Sequence, residues 1–245
     1  MTSTCALAIM TKAPTAGSVK TRLSPPLTLD EAAGLYACFL KDTAESIAAF
    51  GAAGRGAGVA VYTPESAEAL FGRLLPPDFG LIPQRGEGLG ERLLNAAAEI
   101  LTAGYRSVCL IDSDSPTLPP AALEAAMAAL AQPGERVVLG PADDGGYYLI
   151  GMTAARPRLF ADVAWSTDQV LTQTIARARE TGLEVVLLPR WYDVDDGASL
   201  RRLCEELVPD HRAGTRPPGY HAPHTRDYLR RLLASEHERI LLRVS

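Results

Sequence analysis

The sequence predicts a three-layer α/β/α protein built on a mostly parallel sheet. Three observations predict it. Apolar, β-rich runs alternate with segments of helical pattern, the order that places crossover helices between parallel strands. Most of the β-rich runs are continuously apolar, as expected of strands covered on both faces. The helical segments also open and close on capping residues.

The elements follow in order. A strand is expected at 5–11 (CALAIMT), then an irregular loop, then a helix at 29–50. Thr28 followed by Glu31 is a capping box for that helix, and Gly51 is its expected stop. A loose loop with Gly51, Gly54, Gly56 and Gly58 leads to a strand at 58–62 (GVAVY). A helix at 65–75, a strand at 79–83 (FGLIP) and a helix at 90–103 come next. A strand at 107–112 (SVCLID) and a helix at 119–131 follow. Strands at 136–141 (RVVLGP) and 146–151 (GYYLIG) flank Asp144-Gly145, a strong hairpin signal. Ser166 followed by Gln169 reads as a second capping box, opening a helix that ends near Gly182. The last strand is expected at 184–188 (EVVLL), before a helix at 197–207. The stretch 209–227, rich in Pro, Gly and His, reads as a loop or arm leading to a short C-terminal helix. The expected organisation is one domain over 1–208, with 209–245 an arm and helix packed on it. The sequence contains no internal repeat.

Composition narrows the function classes. The chain has 245 residues, 47% hydrophobic and 22% charged, with a mean hydropathy of +0.03, an ordinary globular balance. Its net charge of −5 and pI near 5.4 leave no basic excess to bind nucleic acid. No apolar run reaches the ~20 residues needed to cross a bilayer, so no membrane partner is expected. The N-terminus has no basic start before its apolar stretch, which argues against a signal peptide. Cys5, Cys38, Cys109 and Cys204 are far apart in apolar contexts and read as buried thiols in a reducing cytoplasm. Only three lysines occur, Lys12, Lys20 and Lys41.

In an open α/β sheet, ligands bind beyond the carboxyl ends of the strands, so the segments after each strand hold the candidate chemistry. After the first strand, Lys12, Lys20 and Arg22 are interleaved with Pro14, Gly17 and Ser18. Cations with free backbone amides make a phosphate cradle. Neither the Walker A spacing nor the G-x-G-x-x-G fingerprint is present. After the fourth, Asp112 and Asp114 lie two apart, where carboxylates can hold a hard divalent ion; the competing reading is helix capping and turn formation ahead of Pro116, Pro119 and Pro120. After the seventh, Asp193, Asp195 and Asp196 form a second acidic group, with Asp196 a candidate cap and the others available to a metal shell. After the third, Gln84 can read a base edge, and Gly86, Gly88 and Gly90 leave room for a ring against the backbone; a plain turn is the alternative. The histidines (His211, His221, His224, His237) all fall in the final segment, so no Ser/His/Asp or Cys/His arrangement is visible.

These motifs occur in one order: K-A-P-T-A-G-x-V-K-T-R-L, Q-R-G-E-G-L-G-E-R-L, D-S-D-S-P-T-L, L-G-P-A-D-D-G-G-Y-Y-L-I-G, W-S-T at 165–167 and D-V-D-D at 193–196. Together they resemble a bacterial glycosyltransferase family described as radical-SAM- or selenodomain-associated transferases. It is related to the 2-phospholactate guanylyltransferases and, more distantly, to molybdenum-cofactor nucleotidyltransferases. The resemblance covers roughly residues 5–207. It implies a GT-A-like, Rossmann-like nucleotide-diphospho-sugar transferase fold. It also implies that Lys12, Lys20 and Arg22 contact nucleotide phosphates, with Gly17 shaping their loop, and that Gln84 and Gly90 lie near the base. Asp114 would be the metal-binding carboxylate and Asp195 a second ligand, for Mg²⁺ or Mn²⁺. The family pattern has Gly where this chain has Asp112. The Asp144-Gly145-Gly146 turn would face a small-molecule acceptor, so Asp114, Asp144 and Lys20 are the candidate catalytic residues.

The leading expectation is glycosyl transfer from a nucleoside-diphosphate sugar. A nucleotidyltransferase that releases pyrophosphate from a triphosphate needs the same cations, divalent ion and base pocket. A non-catalytic nucleotide-binding protein is the third reading.

Overall fold

The computed structural model describes residues 5–208 and 219–242, with side chains through Ala234. Seven strands form one sheet: β1 (Cys5–Lys12), β2 (Gly56–Thr63), β3 (Gly80–Pro83), β4 (Ser107–Ile111), β5 (Arg136–Pro141), β6 (Tyr147–Met152) and β7 (Glu184–Leu187). Their order is β3-β2-β1-β4-β6-β5-β7. Every pairing is parallel except those of β6, which runs antiparallel to β4 and β5. The hairpin signal at Asp144-Gly145 explains that exception: Gly145 takes φ +91, which a tight turn between β5 and β6 requires.

Among the described residues the α-helices α1 (Leu29–Ala52), α2 (Glu68–Leu74), α3 (Leu89–Thr102), α4 (Pro120–Ala131), α5 (Val170–Glu180) and α6 (Gly197–Leu207) flank the sheet, and α7 (Pro223–Leu242) packs outside them on α1. Alternate strand residues serve two cores, as the period of two dictates. Leu7, Ile9, Tyr62, Ile111 and Tyr148 pack with α1, α2, α4 and α6 on one face. Ala6, Ala8, Val59, Leu110 and Ile150 pack with α3 and α5 on the other. This is the mostly parallel, three-layer α/β/α sheet that the alternating pattern implies.

Two capping expectations hold and two are corrected. Thr28 and Glu31 make the expected reciprocal box, and Asp196 caps α6 through the Ser199 amide. Gly51, however, lies inside α1. The helix closes at Gly54, whose φ of +67 lets its N–H reach Gly51 O while Arg55 N–H reaches Phe50 O. That pair of bonds is a Schellman ending, and it needs a left-handed residue at Gly54. The Ser166–Gln169 box does not form. Ser166 sits at φ +63, α5 starts only at Val170, and the Leu171 amide is taken by the Gly145 carbonyl at 3.0 Å. The β5–β6 turn thus supplies a partner in the first turn of α5.

Beyond α6, residues 209–218 of the expected arm lie outside the described residues. The helix that follows is longer than expected and packs along α1. Asp42, fully buried on α1, accepts bonds from the amides of His224 (3.0 Å) and Thr225 (2.7 Å) in the first turn of α7. Gly34 lets the Tyr228 ring lie against α1, since a Cβ there would meet its hydroxyl oxygen at 2.3 Å. Among the described residues no helix is long and apolar enough to cross a membrane.

Candidate active site

The chain passes from β1 to β2 and β3 on one side, then returns through β4 to fill the other. The crevice between the ends of β1 and β4 is therefore the topological switch point, where open α/β sheets bind ligands. A cleft of about 1070 Å³ opens there. Met10, Leu89, Leu93 and Leu110 give it an apolar floor, and Lys12, Arg22, Asp112, Asp114 and Asp195 stand at one end.

Lys20 is the centre of that end. Its backbone is left-handed (φ 50, ψ 34) as the chain enters a short 3-10 turn at Thr21–Leu23, and the fully buried Leu23 anchors that turn. The twist accompanies a side chain that is only 5% exposed. Its ammonium lies 2.5 Å from Asp114 and 2.8 Å from Asp195, and 5.9 Å from the ring centres of both Tyr36 and Phe39. Arg22 holds the other oxygen of Asp195 at 2.7 Å. Burial opposes the charge on Lys20, but the Asp114 and Asp195 carboxylates outweigh it and raise its pKa. Burial likewise opposes the charge of Asp195, and Lys20 and Arg22 overcome it and hold that carboxyl below its ordinary value.

Tyr36 ties the two strand ends together. Its hydroxyl meets Thr11 Oγ1 (3.1 Å) and Ser113 Oγ (2.8 Å) and accepts from the Lys12 amide (3.3 Å). Asp112 is structural in its contacts: it accepts from the Asp114 amide (3.3 Å) and from Ser115 Oγ (3.0 Å). Burial, and then the Asp114 charge, pushes its carboxyl well above the usual range.

The lining also carries Asp143, Asp144, Asp168 and Asp193. Asp144 Oδ1 accepts from the Gly146 amide at 2.8 Å, closing the turn. Burial, then the charges of Asp144 and Asp195, raises Asp193 to about 6. Arg202 is paired with Asp143 at 2.8 Å and stacked 3.8 Å from the Tyr192 ring centre.

The structure thus brings Lys12, Lys20, Arg22, Asp112, Asp114 and Asp195 together, with Asp144 in the lining of the same cleft. Gln84 stands apart. Both bonds its amide nitrogen makes go to backbone carbonyls, Thr11 O (3.0 Å) and Val61 O (2.9 Å), so its NH₂ ties β1 to β2 and is committed there. Gly17 holds a left-handed turn (φ +77) in the cation loop. Gly90 is pressed against Trp165: a Cβ there would lie 2.7 Å from its Nε1. Trp165, Asp168, Arg202 and Tyr36 escape sequence reasoning. The W-S-T motif marks Trp165 without a role, and Tyr36 carries only the signal that a buried Tyr hydroxyl needs a partner.

The donor set suits a hard divalent ion, with a restriction. Among the described residues, the group of three ligating side chains whose donor atoms lie within 4.8 Å of one another is Asp42, Glu45 and His224. That group joins α1 to α7, outside the cleft lining, and His224 Nε2 is already 2.7 Å from Glu45. Among the described residues no such group of three forms at the cleft, so a divalent ion held there by Asp114 and Asp195 would complete its shell with water or substrate oxygens.

Comparison with known proteins places the fold. The fold is that of the nucleotide-diphospho-sugar transferases. A protein from Desulfovibrio desulfuricans G20, assigned as a nucleotide-diphospho-sugar transferase, is 30% identical; the match covers 99% of this chain and 98% of that one, at a TM-score of 0.81. The fold extends to a cytidylyltransferase from Leptospira borgpetersenii (10% identity, 96% of each chain, TM-score 0.55). It also matches a CMP:2-keto-3-deoxy-manno-octonic acid synthetase complexed with CTP (11% identity, 81% and 96% covered, TM-score 0.53). No curated protein matches. Residues 46–167 match the family described as an uncharacterized protein conserved in bacteria (DUF2064), and the chain belongs to that family.

Proposed function

We propose that this protein is a metal-dependent transferase that binds an activated nucleotide and transfers a glycosyl group from a nucleoside-diphosphate sugar. The observation that carries the reading is the convergence of Lys12, Lys20 and Arg22 with Asp114 and Asp195 at the switch-point crevice. Phosphate needs the cations, and a divalent ion needs the carboxylates. The base would rest on the apolar floor of Met10, Leu89 and Leu93. Asp114 and Asp195 would hold Mg²⁺ or Mn²⁺, which when bound neutralises charge on the departing diphosphate.

In the reaction, an acceptor hydroxyl oxygen bonds to the anomeric carbon as the bond from that carbon to phosphate oxygen breaks. The nucleoside diphosphate leaves with the electron pair. The free oxygen of Asp144 takes the hydroxyl proton, and Lys12 and Arg22 hold the leaving phosphates.

One observation favours glycosyl over nucleotidyl transfer to a phosphorylated acceptor. Around the Asp144 turn the cleft is also lined by Asp143, Asp168 and Asp193, and the Arg202 guanidinium there is already paired with Asp143. Such a face accepts hydrogen bonds from hydroxyls and repels a phosphate. The specific kinship to guanylyltransferases implied by the sequence motifs would sit within the nucleotidyl reading, and the radical-SAM association implied by the same motifs within the glycosyl one. Incubation with panels of nucleotide sugars and nucleoside triphosphates, with Mn²⁺, tests the assignment. Release of nucleoside diphosphate from a nucleotide sugar supports it; pyrophosphate release from a triphosphate replaces it with nucleotidyl transfer.

A further inference from the structure

Lys20 occupies the place where a cation bound to Asp114 and Asp195 would sit. Its ammonium touches one oxygen of each, and Arg22 engages the remaining oxygen of Asp195. The side chain is enclosed by Tyr36 and Phe39, and its left-handed backbone is a conformation that a non-glycine residue rarely adopts. A divalent ion reaching those oxygens meets the ammonium head-on. Two like charges a few ångströms apart in a half-buried site repel strongly, so ion and ammonium exclude each other. Lys12 and Arg22 flank the same loop, so an incoming diphosphate offers Lys20 a new anionic partner close by.

We infer that Lys20 is an internal counter-ion that keeps Asp114 and Asp195 from a free divalent cation and releases them when a nucleotide's phosphates arrive. Metal and nucleotide then bind as a coupled pair, and Lys20 acts as a positioning residue that sets the coupling. The inference rests on the function proposed above and adds the order of events within it. By linkage, whatever tightening the diphosphate confers on the metal, the metal confers on the diphosphate.

The test is Mn²⁺ binding, read by electron paramagnetic resonance, for the full chain and its Lys20→Met variant, with and without UDP, CDP, ADP or GDP. In the native protein, the diphosphate that binds should tighten Mn²⁺ by about tenfold or more, within the usual range of coupling. In Lys20→Met, Mn²⁺ alone should bind about tenfold tighter than in the native protein, with little further gain from the diphosphate. If the native protein binds Mn²⁺ with a diphosphate and Lys20→Met leaves the affinity for Mn²⁺ alone unchanged, the inference is overturned while the function stands. If no diphosphate brings Mn²⁺ to either protein, both fall. Should Lys20→Met fail to fold, lysine-labelled native protein decides, since it has only three ammonium signals to assign. The Lys20 signal should move on adding Mg²⁺ with the diphosphate and stay put with Mg²⁺ alone. An equal shift with Mg²⁺ alone, or no shift with both, contradicts the inference.

Discussion

The ammonium of Lys20 lies 2.5 Å from Asp114 Oδ1. With Asp195 as its second partner, this one buried charge ties the loop after β1 to the loops after β4 and β7. Removing it leaves Asp114 without its cation and Asp195 with Arg22 alone. Lys20→Met should therefore destabilise the protein by about 2 kcal/mol, below the ~3–5 kcal/mol of fully buried pairs because both carboxylates are a third exposed. Asp114→Asn should cost less, because Lys20 keeps Asp195. Thermal unfolding of the two variants checks the ranking; the reverse order would contradict it.

The same network sets a pH window for stability. Asp195 has its folded pKa lowered, so its contribution is present above the unfolded value and is lost as pH falls through the folded one. Lys20 has its folded pKa raised, so its contribution is full below the ordinary value of 10.5 and is lost as pH rises through the folded one. Denaturant midpoints across pH should decline on both limbs. Asp195→Asn should remove part of the acid limb, and an unchanged acid limb would contradict the assignment.

Gly90→Ala separates stability from ligand binding. On a helix, Ala is favoured over Gly by about 1 kcal/mol. The new Cβ, however, would sit 2.7 Å from Trp165 Nε1 and push the indole from its seat beside the cleft. Melting should change little or fall modestly, because overpacking of about 1–3 kcal/mol offsets the helix gain, while Trp fluorescence should shift and nucleotide affinity should fall several-fold in calorimetry.

Asp42→Ala should undock α7. It strips the amides of His224 and Thr225 of their carboxylate partner in a buried site, at a cost of about 2 kcal/mol or more. Limited proteolysis should then cut near residues 219–223 much faster than in the native protein, while nucleotide binding at the distant cleft persists.

The strands and the β5–β6 hairpin are legible in the sequence because each strand is a covered apolar run and Asp144-Gly145 has few alternatives to a tight turn. The crevice is legible too, since loops after parallel strands converge there by topology. Lys20 is legible as a cation but not as a buried one: its inward course depends on a left-handed backbone that no local residue type announces. Gln84 misleads for a related reason. Its amide answers two strand carbonyls, Thr11 O and Val61 O, that become neighbours only in the folded sheet. Ser166 resembles a cap, yet the amide of Leu171 finds its partner in Gly145, from a turn twenty residues and more away in sequence. Trp165 and Arg202 reach the cleft through tertiary packing alone.

The most direct test is a calorimetric titration of the native protein and its Asp114→Ala variant with nucleotide sugars and nucleoside diphosphates, with and without Mn²⁺. Metal-dependent binding by the native protein, abolished in Asp114→Ala, is the predicted result. Binding that is equal in both proteins and indifferent to Mn²⁺ would contradict a metal-assisted nucleotide site at Asp114.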